Sequence, residues 1–375
     1  MAAKVVEKAK DALHMNKKGD IKIAGKKIHH TGYGLMGLTW RASPPPAEQS
    51  YEAMSTSIRP PPSGFNVVTN IVIETALSMG ANFWNGGELY GPPSRNSAHL
   101  LKEYFQLHPE DASKVVLSIK GGLVEGGLKP DGSEKNIRRS IEATLSVLDG
   151  VKKIDIWEAA RVDPETPIET TLKVVDEYVK AGKVGGIALS ECSADTIRRA
   201  VKVVKIDAVE VEFSMWETTI LENDVAKVCA EHNIPIVAYS PLGRGFLTGQ
   251  IRKVDDIPED DMRRHLPRFQ PENFDKNLQM VQQVEALAKK RNATPGQVAL
   301  AWVRAQSNKP GTPTFVPIPG ASSAERVKEN FTDMELSEND LKEIDSIVES
   351  VEISGARAPA AMAHLSFGDS APLKE

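Results

Sequence analysis

The chain has 375 residues, more than twice the ~150-residue single-domain prior, which leaves two domains or one large α/β barrel. It is 41% hydrophobic and 26% charged, a globular balance that excludes a disordered chain. With 46 basic against 51 acidic residues the net charge is −5, and no Lys or Arg run is long enough to follow a nucleic acid backbone.

The first 18 residues carry five lysines but also Glu7 and Asp11, with no apolar run among them. Neither a secretory signal nor an Arg-rich transit peptide fits, and residues 1–20 read as a flexible tail. Short apolar runs then follow one another along the chain. They are Gly32–Leu35, Asn82–Asn85, Val115–Lys120, Ile154–Ala159, Gly185–Ser190, Ala208–Phe213, Ile234–Ser240 and Thr314–Gly320. Several are nearly continuous Val, Ile and Leu, as strands of a parallel sheet buried on both faces are. Helix patterns lie between them, at Glu134–Leu148, Ile168–Ala181, Ala194–Val204 and Leu221–His232. Eight strands with intervening helices predict a single (β/α)8 TIM barrel, which accounts for eight runs more economically than a doubly wound sheet.

Gly32-Tyr33-Gly34-Leu35-Met36-Gly37 matches the dinucleotide fingerprint GxGxxG. That motif works only where the third glycine opens a helix that receives a pyrophosphate. Leu38-Thr39-Trp40-Arg41 and then Pro44–Pro46 follow instead, so the expected element is a Gly-rich turn at the mouth of the first strand. Ala47–Met54 reads as a helix start and Ile71–Met79 as a helix end. The Pro-rich stretch between them, about residues 55–73, reads as a surface loop, as a break after which the first helix begins again, or as translated intron, and is assigned no function. Gln250–Lys276, with Pro258, Pro267 and Pro271, is a long excursion after the seventh strand, where barrel loops cover the substrate. Two cysteines, Cys192 and Cys229, argue against a disulfide scaffold or a Cys-rich metal site. No metal centre is expected, and no window reaches the ~18 apolar residues of a membrane span. A cytoplasmic α/β enzyme or binding protein follows as the expectation, and no heptad or apolar helix announces an oligomer.

Tyr90 lies just beyond the second strand, and Lys120 ends the third. A Tyr and a Lys at these places meet at the top of a barrel, where the cation lowers the phenol pKa toward a usable acid. Together with Tyr239-Ser240-Pro241-Leu242-Gly243 and Ile318-Pro319-Gly320…Arg326…Asn330, the pair resembles the aldo-keto reductase family. The resemblance covers residues 21–355, leaving a C-terminal tail at 356–375. It implies one barrel with an N-terminal hairpin, long C-terminal-face loops and a C-terminal extension, binding NADP(H) without a Rossmann fold. Tyr90 is then the proton donor and Lys120 its partner, steadied by Asn85. Ser190 bonds the nicotinamide carboxamide with Glu191 and Glu210 as acceptors, and Tyr239 stacks on the ring, followed by Ser240 and Leu242. Gly320, Ser322, Ser323, Arg326 and Asn330 fall on the adenosine side. Ser322-x-x-Glu325 is also a capping box opening a helix there.

Two positions depart from the family. Asn85 stands where most members carry Asp, which predicts a less strongly anchored Lys120. Ala160 stands where most carry His, removing a donor to the carbonyl. These departures, with Gly34–Arg41, Leu189-Ser190-Glu191 and the Ala-Arg-Val-Asp run, resemble the pyridoxal reductase subgroup of fungi. Trp40 and Ala160 then line the substrate pocket, and the substrate is a small aldehyde. A broad aldehyde and ketone reductase, and a non-catalytic NADP-binding regulatory protein, are the alternatives. Glu158, Arg161 and Asp163 either line the site or form a local salt-bridge cluster.

Overall fold

A computed structural model describes residues 20–41, 43–58 and 80–373. Two strands, β1 (Lys22–Ile23) and β2 (Lys26–Lys27), form an antiparallel hairpin whose turn holds Gly25 at φ +73. Eight parallel strands follow: β3 (Tyr33–Gly34), β4 (Phe83–Gly87), β5 (Val116–Gly121), β6 (Ile156–Ala159), β7 (Ile187–Ser190), β8 (Ala208–Glu212), β9 (Ile236–Tyr239) and β10 (Phe315–Pro317). Each pairs with the next in sequence. The ring closes where Gly34 bridges Gly320 and where Gly32 and Gly34 donate backbone hydrogen bonds to Pro317 and Pro319. The (β/α)8 barrel expected from the apolar runs is therefore present, each strand lying within or one or two residues beyond its predicted run.

Side-chain alternation divides every strand between two environments. Trp84, Leu117, Ile119, Trp157, Leu189, Val209, Val211 and Ala238 point outward into the layer between sheet and helices. The other parity points inward. Phe83, Val116, Ile156, Ala188, Ala208, Val237 and Val316 fill the lower interior, which Ile23 and Ile28 of the hairpin close from beneath. Two residues further along the same strands, inward positions turn polar: Asn85, Ser118, Glu158, Ser190, Glu210 and Tyr239. The barrel is thus dry below and polar above, at the C-terminal ends of its strands.

The helices follow their capping signals. α1 (Met36–Thr39) is a single turn and α2 spans Ala47–Ile58. α3 (Ser97–Leu107) and α4 (Glu134–Leu148) start at Asn96 and Ser133, whose side chains accept from Ala98 N and Asn136 N. α5 (Ile168–Lys180), α6 (Ala194–Ala200) and α7 (Val225–Glu231) complete the middle of the ring. α8 (Pro271–Lys290), α9 (Pro295–Ala305), α10 (Ala324–Phe331) and α11 (Glu338–Ser350) complete the rest.

Several expectations change. A helix does start at the end of the GxGxxG stretch, at Met36, but α1 ends within four residues. The Leu221–His232 pattern splits into a 3-10 turn at Thr219–Leu221 and the later α7, because Asp224 adopts φ 65 between them. The Ala194–Val204 pattern ends at Ala200. α2 runs on past Met54, whereas Pro60–Pro62 and Ile71–Met79 lie outside the described residues. The excursion after β9 folds into 3-10 turns at Val254–Asp256, Met262–His265 and Pro267–Phe269 before α8 begins. Among the described residues no helix is long and apolar enough to cross a membrane.

Barrel closure leaves no room at Gly34, where an added Cβ would sit 2.8 Å from the backbone oxygen of Ile318. Gly34→Ala is expected to cost about 1–3 kcal/mol by overpacking, measured by thermal or urea denaturation. Gly37→Ala, whose Cβ meets nothing within 4 Å, serves as the tolerated control.

Candidate active site

Strand β4 ends in Gly86-Gly87 and the chain turns across the barrel mouth through Glu88-Leu89-Tyr90. Glu88 N donates to Lys120 O at 2.8 Å, tying this loop to the end of β5. Its carboxylate accepts from Arg139 and from Ser140 Oγ on α4. Gly91 then takes φ +110, and a Cβ there would lie 2.7 Å from Arg95 O, so the turn that presents Tyr90 requires glycine. Thr39 Oγ1 and Ser97 N both donate to Tyr90 O, at 2.7 and 3.0 Å. Trp40 stacks on the Tyr90 ring with centroids 5.7 Å apart and remains 39% exposed, an aromatic wall at the mouth.

Lys120 Nζ lies 5.8 Å from the Tyr90 ring centroid, inside the barrel and out of water. It donates to Asn85 Oδ1 at 3.0 Å and to Glu210, and lies 3.4 Å from Glu158. Asn85 Nδ2 in turn donates to Glu210 Oε2 at 2.7 Å and to Glu158 Oε1 at 3.3 Å, and Ser118 Oγ reaches Glu158 at 3.3 Å. Burial alone would depress the lysine, but Glu158 and Glu210 outweigh it and raise its pKa. Burial pushes Glu210 up to about 8 against the pull of Lys120, and Glu158 adds to the rise. For Tyr90, burial raises the phenol pKa, and the opposing pull of Lys120 does not bring it below its ordinary value.

Three expectations are corrected by this cluster. Lys120 does not leave Tyr90 with a net lowered pKa, because desolvation of the phenolate is the larger effect. Asn85 does not leave Lys120 loosely held, because two glutamates supply the charge that an Asp would. Glu210 does not stand open as a carboxamide acceptor; it reaches from β8 across the barrel to Lys120. Nor do Glu158, Arg161 and Asp163 form one salt-bridge cluster. Glu158 pairs with Lys120, Arg161 donates to Ala160 O, and Asp163 accepts from the backbone of Gly132 and Glu165.

A second cluster covers the opposite side of the mouth. Arg357, in the segment after α11, donates to Glu212 Oε2 at 2.8 Å, Glu191 Oε1 at 2.5 Å and Tyr239 Oη at 2.7 Å. Burial would raise Glu212, yet Arg244 and Arg357 hold it below the usual carboxylate range. Glu191 adopts φ 52, a left-handed conformation unusual for its type, and is pinned there from several sides. Its carboxylate accepts from Glu212 N and Phe367 N, and its carbonyl from Gly368 N at 2.7 Å. Ser370 and Ala371 are held by Thr196 and Arg199. The segment after residue 356 is therefore packed across the barrel, and Glu191 is already engaged. Ser190 Oγ and Arg357 Nη1 are buried with no hydrogen-bond partner among the described residues.

On the β10 side, Ser323 caps α10 by accepting from Arg326 N, so the cap is Ser323 and not Ser322. Gln49 on α2 donates to Ser322 O. Arg326 pairs with Glu329 at 2.8 Å and remains partly exposed. Asn330 donates to Gly320 O, bracing the turn where the barrel closes. Ser240, at φ 49, and Leu242 lie on the turn after β9, whose strand neighbours are β8 and β10. Ala160 is buried directly after β6. Arg357 escapes sequence reasoning because no periodicity marks it. Glu212 shares the inward parity of Glu210 in Glu210-Val211-Glu212, and that alternation is a readable signal.

The model of the aldo/keto reductase family matches residues 32–349. "Probable pyridoxal reductase 2" of Schizosaccharomyces pombe is 35% identical over 343 residues, covering 89% of this chain and 96% of that protein. "Aldo-keto reductase yakc [NADP(+)]" from the same organism is 35% identical over 360 residues, covering 94% and 98%. The solved glycerol dehydrogenase AKR11B4 of Gluconobacter oxydans superposes with a TM-score of 0.70 at 22% identity, covering 90% of this chain and 97% of that one, a likeness of fold.

Removing the guanidinium that joins Glu191 and Glu212 takes away the cation bonded to Glu191 and leaves Glu212 paired with Arg244 alone among the described residues. Arg357→Met is expected to destabilise the protein by about 3 kcal/mol, read as a fall in thermal midpoint that is larger at pH 8 than at pH 5.

Proposed function

Because the chain belongs to the aldo/keto reductase family and is an oxidoreductase of that family, we propose that it reduces a pyridoxal-type aldehyde to its alcohol with NADPH. The observation that carries this reading is Tyr90 at the barrel mouth, walled by Trp40 and backed by the buried Lys120 ammonium. Tyr90 donates its phenolic proton to the carbonyl oxygen, and Lys120 supports the phenolate that this leaves. NADPH, when bound, supplies the hydride. Ser190 fits the carboxamide end of that cofactor, since its hydroxyl is buried with no partner among the described residues. Arg357 Nη1, without a partner among the described residues, offers a second donor to the carboxamide oxygen, whereas the acceptor role toward the amide NH2 stays with the Glu191 carboxylate that Arg357 also holds. Tyr239 keeps its place beneath the ring, with Ser240 and Leu242 on the following turn.

The adenosine side falls to Gly320, Ser322, Ser323, Arg326 and Asn330, where a helix start and a partly exposed guanidinium suit a 2′-phosphate. The NADP(+) in the name of one relative supports the same choice. For the substrate, support comes from the other relative's name and from Ala160. A small side chain there leaves space for ring substituents. The phenolic hydroxyl of pyridoxal, beside its aldehyde, can bond the carbonyl oxygen internally and supply part of what a His would. The two buried free cysteines suit a reducing cytoplasm.

The test is NADPH oxidation across pyridoxal, pyridoxal phosphate and simple aryl aldehydes. Pyridoxal is expected to be the best substrate, and Tyr90→Phe to lose about 10²–10⁴-fold in kcat. Tight NADPH binding with no carbonyl reduced would refute the enzyme reading. Equal turnover of pyridoxal and its 3-O-methyl analogue would refute the role given to the phenolic hydroxyl. Arg326→Ala is expected to raise KM for NADPH more than for NADH, measured by steady-state kinetics.

A further inference from the structure

The ion cluster beneath Tyr90 does not balance as a set of ordinary charges. It contains one ammonium, Lys120, and two carboxyl groups, Glu158 and Glu210, all three at most 3% exposed. The other partners of the two carboxyls are neutral: the amide of Asn85 and the hydroxyl of Ser118. Fully ionised, the cluster would carry a buried net negative charge, and Glu158 Oε2 has no hydrogen-bond donor among the described residues. Such a charge costs several kcal/mol in a low-dielectric interior, and protonation removes it.

We propose that Glu158 and Glu210 share one proton at neutral pH, leaving a single carboxylate to balance Lys120, and that Asn85 is the neutral clamp joining them. The amide suits this task because its Nδ2 donates to both carboxyls while its Oδ1 accepts from Lys120. A carboxylate at position 85 could accept from Lys120 but could donate to neither glutamate. Asn85 therefore follows from the two glutamates: with Asp, three acids would crowd one ammonium.

The shared proton also bears on the acid at the mouth. The charged groups that act on Tyr90 from within the barrel are Lys120 on β5, which lowers its pKa, and Glu158 on β6 and Glu210 on β8, which raise it. Arg161 lies near enough, on the loop after β6, to feel the Tyr90 charge. With one glutamate neutral, more of the Lys120 field reaches the phenol. Once the proton is lost at high pH, two carboxylates cancel that field and Tyr90 becomes a weaker acid. Glu158 and Glu210 are positioning residues in this account, acting on the substrate only through Lys120 and Tyr90.

The inference rests on the reductase reading for its kinetic arm alone; a second arm does not need activity. Glu210 rises from an ordinary 4.5 to about 8, so the folded protein keeps a proton that the unfolded chain has lost across that interval. More protons bound by the folded form means that stability falls as pH rises through this window. The wild-type thermal midpoint is expected to fall from pH 5 to pH 8, and Glu210→Gln to flatten that part of the curve. Glu158→Gln removes the same charge from the facing strand and is expected to do likewise. Asn85→Asp is expected to lower the midpoint and to reduce kcat by about tenfold or more. The double variant Asn85→Asp with Glu210→Gln restores one acid in place of another and is expected to recover most of both losses. In the kinetic arm, Glu210→Gln moves the alkaline limb of the kcat profile upward by about one pH unit. Unchanged pH slopes in both Gln variants, or Asn85→Asp with a wild-type midpoint, would overturn the proposal. Failure of the wild type to reduce any aldehyde would overturn the reductase reading and leave the stability arm to decide the shared proton.

Discussion

An ammonium group held out of water is the constraint around which the upper barrel is built. Lys120 sits in a wholly buried strand and is itself only 3% exposed, so bulk solvent does little to stabilise its charge. It stays charged only because the neighbouring strands bring acids to it in register. Glu158 lies directly beside it on β6, and Glu210 arrives from β8 on the far side of the ring. The loop carrying Tyr90 is tied to the same point through Glu88 N and Lys120 O. One charge thus specifies strand pairing, barrel closure and the placement of the phenol together. A slip of one residue in β6 or β8 would turn those acids outward into the apolar layer.

Strand β8 shows how little residue type decides about a buried group. Glu210 and Glu212 are two residues apart on one strand, share one parity and are both buried. Glu210 is pushed up by burial and by Glu158, whereas Glu212 is held down by Arg244 and Arg357. The mouth therefore contains an acid-rich half under Tyr90 and an arginine-rich half under the C-terminal segment. Two carboxyls whose surroundings push them in opposite directions are a common signature of a working site.

The C-terminal segment belongs to this second half. Arg357 is inserted among Glu191, Glu212 and Tyr239, and Gly368 pairs with the strand end at Glu191 and Cys192. Its contacts satisfy the strained backbone at Glu191, which would otherwise cost on the order of 1–3 kcal/mol with nothing to hold it. The residues after 356 look in sequence like a tail, yet they complete the charge balance of the barrel.

Apolar runs and their spacing determine the barrel by themselves, because parallel strands buried on both faces are largely apolar and must return through helices. The capping of α4 by Ser133 and the order Tyr90, Lys120, Tyr239, Arg326 are likewise readable, since each depends on local pattern. The sequence also contains the inward parity of Glu158, Glu210 and Glu212, although a strand pattern does not say which partner lies across the ring. Only the closed structure decides that Glu210 meets Lys120 and that Arg357 takes Glu191. Those pairings join residues 90 and 166 positions apart. Their strength comes from burial, and burial is a property of the assembled barrel, not of any stretch of chain.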